Sequence, residues 1–492
     1  MAKRHGNSLK SQIYRYWWLL LLCLSFLLVP IVKKTAVATP FPPPAPIANN
    51  ANLGARIQRT MGLLATSTPT QRRKVRILFY GQSITQQDWW QDVAKDLKQR
   101  FPYADLTIEN RALGGFAAPL LIRPSEHDLY PFYPDLLIFH VYGGDEDYEA
   151  IIANVRSRTA SEILLHSDHI NWLPIGNNSD NPDEVKGYEW HNTHSTKWLP
   201  ELADKYGCEI AEIRAPWRRY LKDNRLQPKQ LLSDSIHLND WGNFLLAALI
   251  KPHLRYNPNS PQAASQDLVK TYRVGTDVKW QDGKLVLEFE GNRIDAIADK
   301  TFNGGAISAK IAIDGKKPSE FPELYSITRP SASLGVAWPA ILQISSQKPL
   351  IVEDWKAVIT EINSDSSKFK FDVIGSKTGY DGSGTNDKMF VSKSGRIAIE
   401  PKNWWLQNAY EYSKKPTPKG FEITWQVKPM FVDSYIPPQI ADSNREYPTT
   451  LAQNLSNSKH ILEIIPETEG TVPIQAIRVY RPPYIPAPKP SI

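Results

Sequence analysis

Short apolar runs alternate with amphipathic stretches over the first half of the chain. Continuous apolar runs at residues 76–80, 135–142 and 161–166 predict strands that are buried on both faces. Further short strands are predicted at residues 106–108 and 208–213, and apolar positions three or four apart predict helices at residues 89–101, 148–158, 195–206 and 241–254. Strands that alternate with helices form a parallel sheet covered by those helices. The pattern therefore predicts an α/β domain over residues 71–257.

The hydrophobic period changes in the second half of the chain. Residues 268–484 hold many short segments in which apolar and polar residues alternate, as in strands with one buried face. Such segments lie at residues 284–290, 309–313, 369–373, 420–425, 460–465 and 475–480. They follow a boundary rich in proline and asparagine at residues 257–261, and they predict an antiparallel β-sandwich. Two domains are expected, because a chain of 492 residues exceeds a single hydrophobic core.

The amino terminus has the pattern of a membrane or export signal. Residues 1–15 contain four Lys or Arg and no acidic residue, and residues 16–32 are apolar except for Ser25 and Pro30. Such a run is at the lower limit for crossing a bilayer, which is about 17 residues. Residues 1–38 are predicted to be a cytoplasmic tail with a signal anchor in the membrane, or else a signal peptide cleaved after an Ala-x-Ala site. Either way the rest of the chain is exported, after a proline-rich linker at residues 39–70.

Charge and cysteine content narrow the class of protein. The net charge is +7, but residues 1–34 contribute six of these charges, so nucleic acid is not an expected partner of the nearly neutral remainder. One of the two cysteines lies in the apolar run and the other is Cys208, so no disulfide forms within the exported part. Export without disulfides favours a bacterial envelope protein. No metal site is predicted: His166, Asp168 and His169, at a strand end, are expected to line a cleft or cap a turn.

Two short segments carry the candidate chemistry. Gly-Gln-Ser-Ile-Thr at residues 81–85 follows the first predicted strand, so Ser83 lies on a turn at the carboxyl edge of the sheet, where α/β folds place their ligands. Asp-Ser-Ile-His at residues 234–237 precedes a predicted helix. Asp234 can orient the His237 imidazole so that its far nitrogen faces the Ser83 hydroxyl. A nucleophile, a general base and an orienting carboxylate together indicate a serine hydrolase.

Both segments resemble sequence blocks of the SGNH/GDSL hydrolase superfamily, with Gln82 where the family usually has Asp. Asn-Arg-Ala-Leu-Gly-Gly at residues 110–115 resembles the second block, and the resemblance spans about residues 76–254. It implies a three-layer α/β fold and an ester-hydrolysing enzyme that needs no cofactor. The residues to which it assigns roles are Ser83, His237 and Asp234 as the catalytic group, and the backbone amides of Ser83 and Gly115 in the oxyanion hole.

The third block departs from the family, because Asp145 stands where an oxyanion-binding Asn is usual. An ionised carboxylate cannot donate a hydrogen bond to an oxyanion, and losing one such donor costs about 100- to 1000-fold in rate. Three outcomes are open: Asp145 is protonated in a dry site, Tyr142 or His140 substitutes as the donor, or the enzyme is weak or inactive.

A long polar insertion at residues 171–194 precedes the last block. It is predicted to lack regular structure and to be either a lid or substrate wall over the cleft, or a decorated surface loop. In the second half, the first and last strands resemble jelly-roll modules attached to carbohydrate esterases. Trp404 and Trp405 there suit either a sugar platform or core packing. Three oxygen-bearing residues suit either calcium or a polar turn; they are Asp381, Asn386 and Asp387.

The sequence therefore predicts an exported serine esterase that acts on ester groups, most simply O-acetyl groups, of a polysaccharide. An O-acyltransferase of an envelope glycan would use the same Ser83, His237 and Asp234 with a sugar hydroxyl as the acceptor. A glycan-binding protein with a degenerate hydrolase fold is the third interpretation, and Asp145 is its best support.

Overall fold

A computed structural model describes residues 41–47, 52–173, 182–260 and 268–484. The predicted signal anchor or signal peptide, with its apolar run at residues 16–32, lies outside the described residues. Among the residues that are described, no helix is both long and apolar enough to span a membrane. All elements given below belong to the compact unit Pro43–Ile492.

The first half of the chain forms a five-stranded parallel sheet in the order β2-β1-β3-β4-β5. Its strands are β1 (Lys74–Gly81), β2 (Asp105–Asn110), β3 (Leu136–His140), β4 (Glu162–His166) and β5 (Glu209–Ala211). Every residue of β3 and β4 is buried, which explains why these strands read as unbroken apolar runs. The predicted parallel sheet is confirmed.

Helices cover both faces of this sheet. They are α1 (Gln58–Ala65), α2 (Ser83–Gln86), α3 (Trp89–Arg100), α4 (Ala118–Leu121), α5 (Ser125–Asp128), α6 (Asp145–Arg158), α7 (Pro182–Thr193), α8 (Leu199–Tyr206), α9 (Arg214–Asp223) and α10 (Asp240–Ile250). Successive residues of β1 point to opposite faces, so Ile77 and Phe79 enter one hydrophobic cluster and Leu78 and Tyr80 enter another. These two clusters, one on each side of the sheet, give the three layers that the sequence predicts.

Helix α1 lies inside the stretch that was predicted to be a linker, residues 39–70. A short 3₁₀ turn, Ala55–Ile57, leads into it, and Ile57, Met61 and Leu64 are buried in the core of the α/β domain. The linker prediction is therefore wrong for residues 55–65. The apolar side chains of this two-turn helix are few, and burial against the sheet rather than a strong helical pattern holds it in place.

The insertion at residues 171–194 also contains more regular structure than predicted. Helix α7 continues directly into one π turn, His194–Trp198, and then into α8. One side of α7 faces solvent, where Glu189 and Trp190 are exposed, and this agrees with the polar composition of the segment. Residues 174–181 lie outside the described part of the chain.

The second half of the chain is antiparallel, as predicted, but it contains two larger sheets. The strands of the seven-stranded sheet are β6 (Val269–Arg273), β7 (Trp280–Gln281), β8 (Lys284–Ala298), β9 (Ala309–Ile313), β17 (Ser434–Tyr435), β18 (Pro448–Pro466) and β19 (Ile474–Tyr480). Those of the five-stranded sheet are β10 (Tyr325–Ile327), β11 (Asp354–Ile362), β12 (Phe369–Gly375), β13 (Gly379–Thr385) and β16 (Glu422–Pro429). A small ribbon consists of β14 (Phe390–Val391) and β15 (Ala398–Ile399), and helix α11 covers Leu406–Ser413.

Each of these two larger sheets has a hydrophobic cluster of its own. Leu285 and Ile464 lie in the first cluster, whereas Phe371 and Trp425 lie in the second, together with buried residues of the irregular segment 340–350. A single sandwich over residues 268–484 is therefore not what the chain forms. Periodicity along a strand shows that one face is buried, but it does not show which element covers that face.

The two halves meet through buried polar contacts. Arg329, which follows β10, pairs with Asp128 of α5 at 2.6 Å, and the side chain of Asp128 is 4% exposed. His127 bridges Ile327 and Ile344: its Nδ1 donates to the Ile327 carbonyl at 2.8 Å, and its Nε2 accepts from the Ile344 amide at 3.1 Å. Burial lowers the pKa of His127 to about 4, so the ring is neutral at this interface.

Candidate active site

Ser83 begins α2 immediately after the carboxyl end of β1. A Cβ atom on Gly81 would lie 1.9 Å from the carbonyl oxygen of His140 on the neighbouring strand, so only glycine allows the two strand ends to come this close. The Thr85 hydroxyl donates to the same carbonyl at 3.2 Å. Ser83 is half-buried at this turn, which is the position predicted for a nucleophile at the carboxyl edge of the sheet.

Asp234 and His237 form the predicted pair on the loop before α10. The His237 ring donates from Nδ1 to Asp234 Oδ2 at 2.7 Å. The other carboxylate oxygen accepts the backbone amides of Ile236 and His237, both at 2.7 Å. Hydrogen bonds from the amide and ring of His237 and from the amide of Ile236 lower the pKa of Asp234 to about 2. An ionised Asp234 thus fixes the tautomer of His237 and leaves Nε2 as the proton acceptor.

Gln87 joins the loop that carries His237 to the turn that carries Ser83. Its side-chain amide donates to the Leu238 carbonyl at 2.8 Å, and its side-chain oxygen accepts from the Leu238 amide at 3.0 Å. Gln87 is the fourth residue after Ser83, and Leu238 is adjacent to His237, so the clamp brings the two motifs together. No hydrogen bond joins Ser83 Oγ to His237 Nε2 among the described residues. Catalytic hydrogen bonds often tighten only when substrate binds.

His169 supports the same loop from the other side. Its Nε2 donates to the Ile236 carbonyl at 3.0 Å, while Nδ1 faces the Tyr142 hydroxyl at 3.4 Å. Burial lowers the pKa of His169 to about 4, so the ring is neutral and donates from Nε2 alone. Asn171 adds a contact to the Ser235 carbonyl at 3.3 Å. His169 thus holds the loop that carries His237, a contact that was missed from the sequence.

Asp168 lies beneath the site between two histidines. Its carboxylate accepts from His140 at 2.9 Å and from His191 of α7 at 2.7 Å. Burial alone would raise its pKa, but these two hydrogen bonds hold the pKa of Asp168 well below its usual range. Within the described ranges, no three His, Cys, Asp or Glu side chains are grouped so that they could hold a metal ion. The hydrogen bond from His191 thus holds helix α7 to the buried carboxylate of Asp168.

The second sequence block also lies against Ser83. A Cβ atom on Gly114 would be 3.7 Å from Cβ of Ser83, and Gly115 has a left-handed φ of 82°. Asn110 shapes this turn, since its side chain donates to the Thr85 carbonyl at 2.7 Å and accepts the Ala112 amide at 2.9 Å. The turn thus places Gly114 against Ser83, and the role of the adjacent Gly115 amide in an oxyanion hole stays a prediction.

Asp145 is not joined to this group by any contact among the described residues. It is the first residue of α6, and its Oδ1 accepts from Nδ1 of His194 at 3.0 Å. The side chain of His194 is 5% exposed and lies on the π turn that follows α7. Asp145 therefore ties α6 to the insertion, which is a structural role that its position in the sequence did not reveal.

Trp338, from the second half of the chain, packs directly on the glycine turn. Its indole Nε1 donates to the Gly114 carbonyl at 2.6 Å, and its Cζ2 lies 3.1 Å from the position that a Cβ atom on Gly115 would occupy. The ring of Tyr412 follows at 5.1 Å between centroids, with 72% of the residue exposed. Trp338 and Tyr412, here called the aromatic wall, extend outward beside the candidate oxyanion hole.

Trp404 and Trp405 do not form the exposed platform that was one interpretation of the sequence. Trp404 is buried and packs on Phe371 with ring centroids 4.5 Å apart. Trp405 is half-buried, and its ring contacts Phe116 at 5.7 Å and Trp338 of the aromatic wall at 6.5 Å between centroids. The core-packing interpretation is correct for Trp404, because its indole lies in the hydrophobic cluster of the five-stranded antiparallel sheet and does not face a ligand.

No family model and no curated protein matches this chain. Among solved structures, a two-domain esterase active on acetylated mannans is 15% identical, with 87% of this chain and 94% of that chain covered and a TM-score of 0.31. An acetylxylan esterase from Geobacillus stearothermophilus is 16% identical and covers 39% of this chain and 98% of its own length, with a TM-score of 0.31. A GDSL-like lipase from Parabacteroides merdae is 17% identical over 38% of this chain and all of its own, with a TM-score of 0.32. Likenesses of this strength do not by themselves assign an activity.

Proposed function

We propose that this protein is a serine esterase that removes acyl groups, most simply O-acetyl groups, from a polysaccharide. One observation carries the proposal. The Gln87 clamp on Leu238 unites the Ser83 turn with the loop in which Asp234 holds the His237 ring at 2.7 Å. A serine, a neutral imidazole and an ionised carboxylate in this order are the parts that nucleophilic acyl transfer needs.

The reaction proceeds in two steps. His237 Nε2 takes the proton of the Ser83 hydroxyl as Oγ attacks the ester carbonyl, and the imidazolium then protonates the departing sugar oxygen. Asp234, with its pKa near 2, stays ionised and stabilises the imidazolium. The backbone amides of Ser83 and Gly115 stabilise the oxyanion. Water, activated by His237, then attacks the acyl-serine and releases the carboxylic acid.

The aromatic wall supports a carbohydrate as the substrate. Sugar rings carry apolar C–H faces that stack on aromatic side chains, and their hydroxyl edges remain in water. Trp338 touches the turn that holds Gly115, and Tyr412 extends the surface away from it. A sugar whose ester lies at Ser83 would thus have a neighbouring ring of the polymer within reach of these two side chains.

The location in the bacterial envelope is part of the same proposal and rests on the sequence alone. The basic residues 1–15 and the apolar residues 16–32 support export, with the protein held by a membrane anchor or released after cleavage at residues 36–38. A polysaccharide of the envelope or the surroundings would then be accessible to Ser83.

Acetate release from p-nitrophenyl acetate and from an acetylated polysaccharide tests the proposal. The purified full-length protein is compared with Ser83→Ala, whose fold is checked by circular dichroism. Activity should depend on Ser83 and fall by at least about 1000-fold in the variant. Activity that survives Ser83→Ala would refute the assignment of the nucleophile. If the folded protein releases no acetate but moves acetyl groups to an added oligosaccharide, the same Ser83 serves an acyltransferase.

A further inference from the structure

A cavity lies at the edge of the parallel sheet opposite to the edge that carries Ser83. It has a volume of about 650 Å³, is partly open to solvent, and is lined by α1, by the amino-terminal end of β1 and by strands β6, β8, β18 and β19. Arg76, at its wall, is seven residues before Ser83, which places the two about 20 Å apart at 3.3 Å per strand residue. The cavity is thus separate from the candidate active site.

The lining of this cavity is strongly basic. Two carboxylates, of Asp135 and Asp295, face six cationic side chains, which are Arg59, Arg73, Lys74, Arg76, Arg293 and Arg478. Three of the cations have partners: Arg59 pairs with Asp135 at 3.0 Å, Arg293 with Asp295 at 2.8 Å and Arg478 with Glu446 at 2.7 Å. Three positive charges are left without a carboxylate partner, those of Arg73, Lys74 and Arg76.

Arg76 is the most unusual of these three. Its guanidinium lies 4.1 Å above the Phe132 ring, and it forms no side-chain hydrogen bond or ion pair among the described residues. Burial, together with the nearby guanidinium of Arg293, lowers the pKa of Arg76 to about 10. Arg76 is only partly buried, and the Phe132 ring rather than a carboxylate faces its charge.

Arg73 lines the same cavity. Its Nε is buried and has no hydrogen-bond partner in the described part of the chain. Guanidinium groups present several N–H donors in a plane that matches carboxylate and phosphate oxygens. Two guanidiniums without a carboxylate partner line this one cavity together with Lys74, and they are complementary to an anion with several oxygen atoms.

We propose that this cavity binds a small organic anion, a sugar acid or sugar phosphate of one or two rings. The volume falls within the range of pockets that hold small molecules, about 300–1000 Å³. The carboxylate or phosphate would lie between Arg73 and Arg76, and the Tyr256 and Tyr480 side chains in the lining offer surfaces for the ring. The site is independent of the ester hydrolysis proposed above, since it uses none of the same residues.

Isothermal titration calorimetry on the full-length protein tests this site with three probes: inorganic phosphate, glucuronate and, as the neutral control, glucose. The two acids should bind and glucose should not, and added sodium chloride should weaken the binding. Arg73→Gln and Arg76→Gln should each weaken it by about tenfold or more, since each removes a charge-assisted hydrogen-bond donor. Lys98→Gln, an exposed cation of α3, should leave the affinity unchanged.

Thermal unfolding provides a second readout. Without ligand, Arg76→Met should unfold at the same or a higher temperature than the wild type, because it removes a charge that the guanidiniums of Arg293 and Arg111 repel. Phosphate or glucuronate should stabilise the wild type but not this variant. The proposal is overturned if neither acid binds up to about 10 mM, if both Arg variants bind as the wild type does, or if Ser83→Ala abolishes the binding.

Discussion

Replacing Gln87 with leucine tests how the two motifs of the site are held together. The change keeps the size of the side chain and removes both hydrogen bonds to Leu238, at 2.8 and 3.0 Å. Leu238 is 2% exposed, so its amide and carbonyl gain little from water in return. At about 1 kcal/mol for each hydrogen bond, the loop that carries His237 loses about 2 kcal/mol of constraint. If all of this is expressed in the transition state, kcat falls about 30-fold.

The assay is steady-state hydrolysis of p-nitrophenyl acetate, with kcat and KM determined separately. A residue that only positions His237 should lower kcat and leave KM nearly unchanged, because the clamp does not touch the substrate. Gln87→Glu places a carboxylate oxygen against the Leu238 carbonyl, which repels it, so its kcat should fall at least as far as that of Gln87→Leu. Gln99→Leu, at an exposed position of α3, is the matched control and should behave as wild type.

Urea unfolding of the same variants separates positioning from loss of fold. Gln87→Leu should remain folded at the assay temperature, since a change of about 2 kcal/mol is smaller than the stability of a typical domain. The reasoning is refuted if the folded Gln87→Leu protein keeps kcat within about twofold of wild type. A rise in KM with an unchanged kcat would also refute it, because it would place Gln87 in substrate binding.

Three further predictions concern other parts of the molecule. Tyr412→Ala, which removes the exposed part of the aromatic wall and leaves the Trp338 contact with Gly114 intact, should raise KM for an acetylated polysaccharide about tenfold while p-nitrophenyl acetate is little affected; equal effects on both substrates would count against a sugar surface. Asp145→Asn should change kcat by less than about tenfold, well below the cost of a lost oxyanion donor, since Asp145 contacts His194; a gain or loss of 100-fold in the same assay would return it to the oxyanion hole. His127, with a folded pKa of about 4 against 6.5 unfolded, binds its proton first in the unfolded state, so urea unfolding should show stability falling by up to about 3 kcal/mol from pH 7 to pH 4. His127→Gln should show a shallower decline, and an identical pH dependence would contradict this account.

The sequence alone determined the features that depend on neighbours along the chain. The buried strands β3 and β4 were predicted because most of their residues form a continuous apolar run, which is visible in the sequence without the fold. The Asp234 and His237 contact was predicted because a spacing of three residues is enough to close it on one loop. Helix α1 was not predicted, since two turns with few apolar positions give a weak periodic signal.

Only the tertiary structure decided which distant residues meet. Gln87 and Leu238 are 151 residues apart, and Trp338 and Gly114 are 224 apart. Nothing in the local pattern of either partner indicates such a contact, because it depends on how strands and loops from both halves pack. The same reason explains Asp145, which follows a sequence motif but contacts His194 in the fold. It also explains Arg76, since only the packing of both halves shows that it lines a basic cavity without a carboxylate partner.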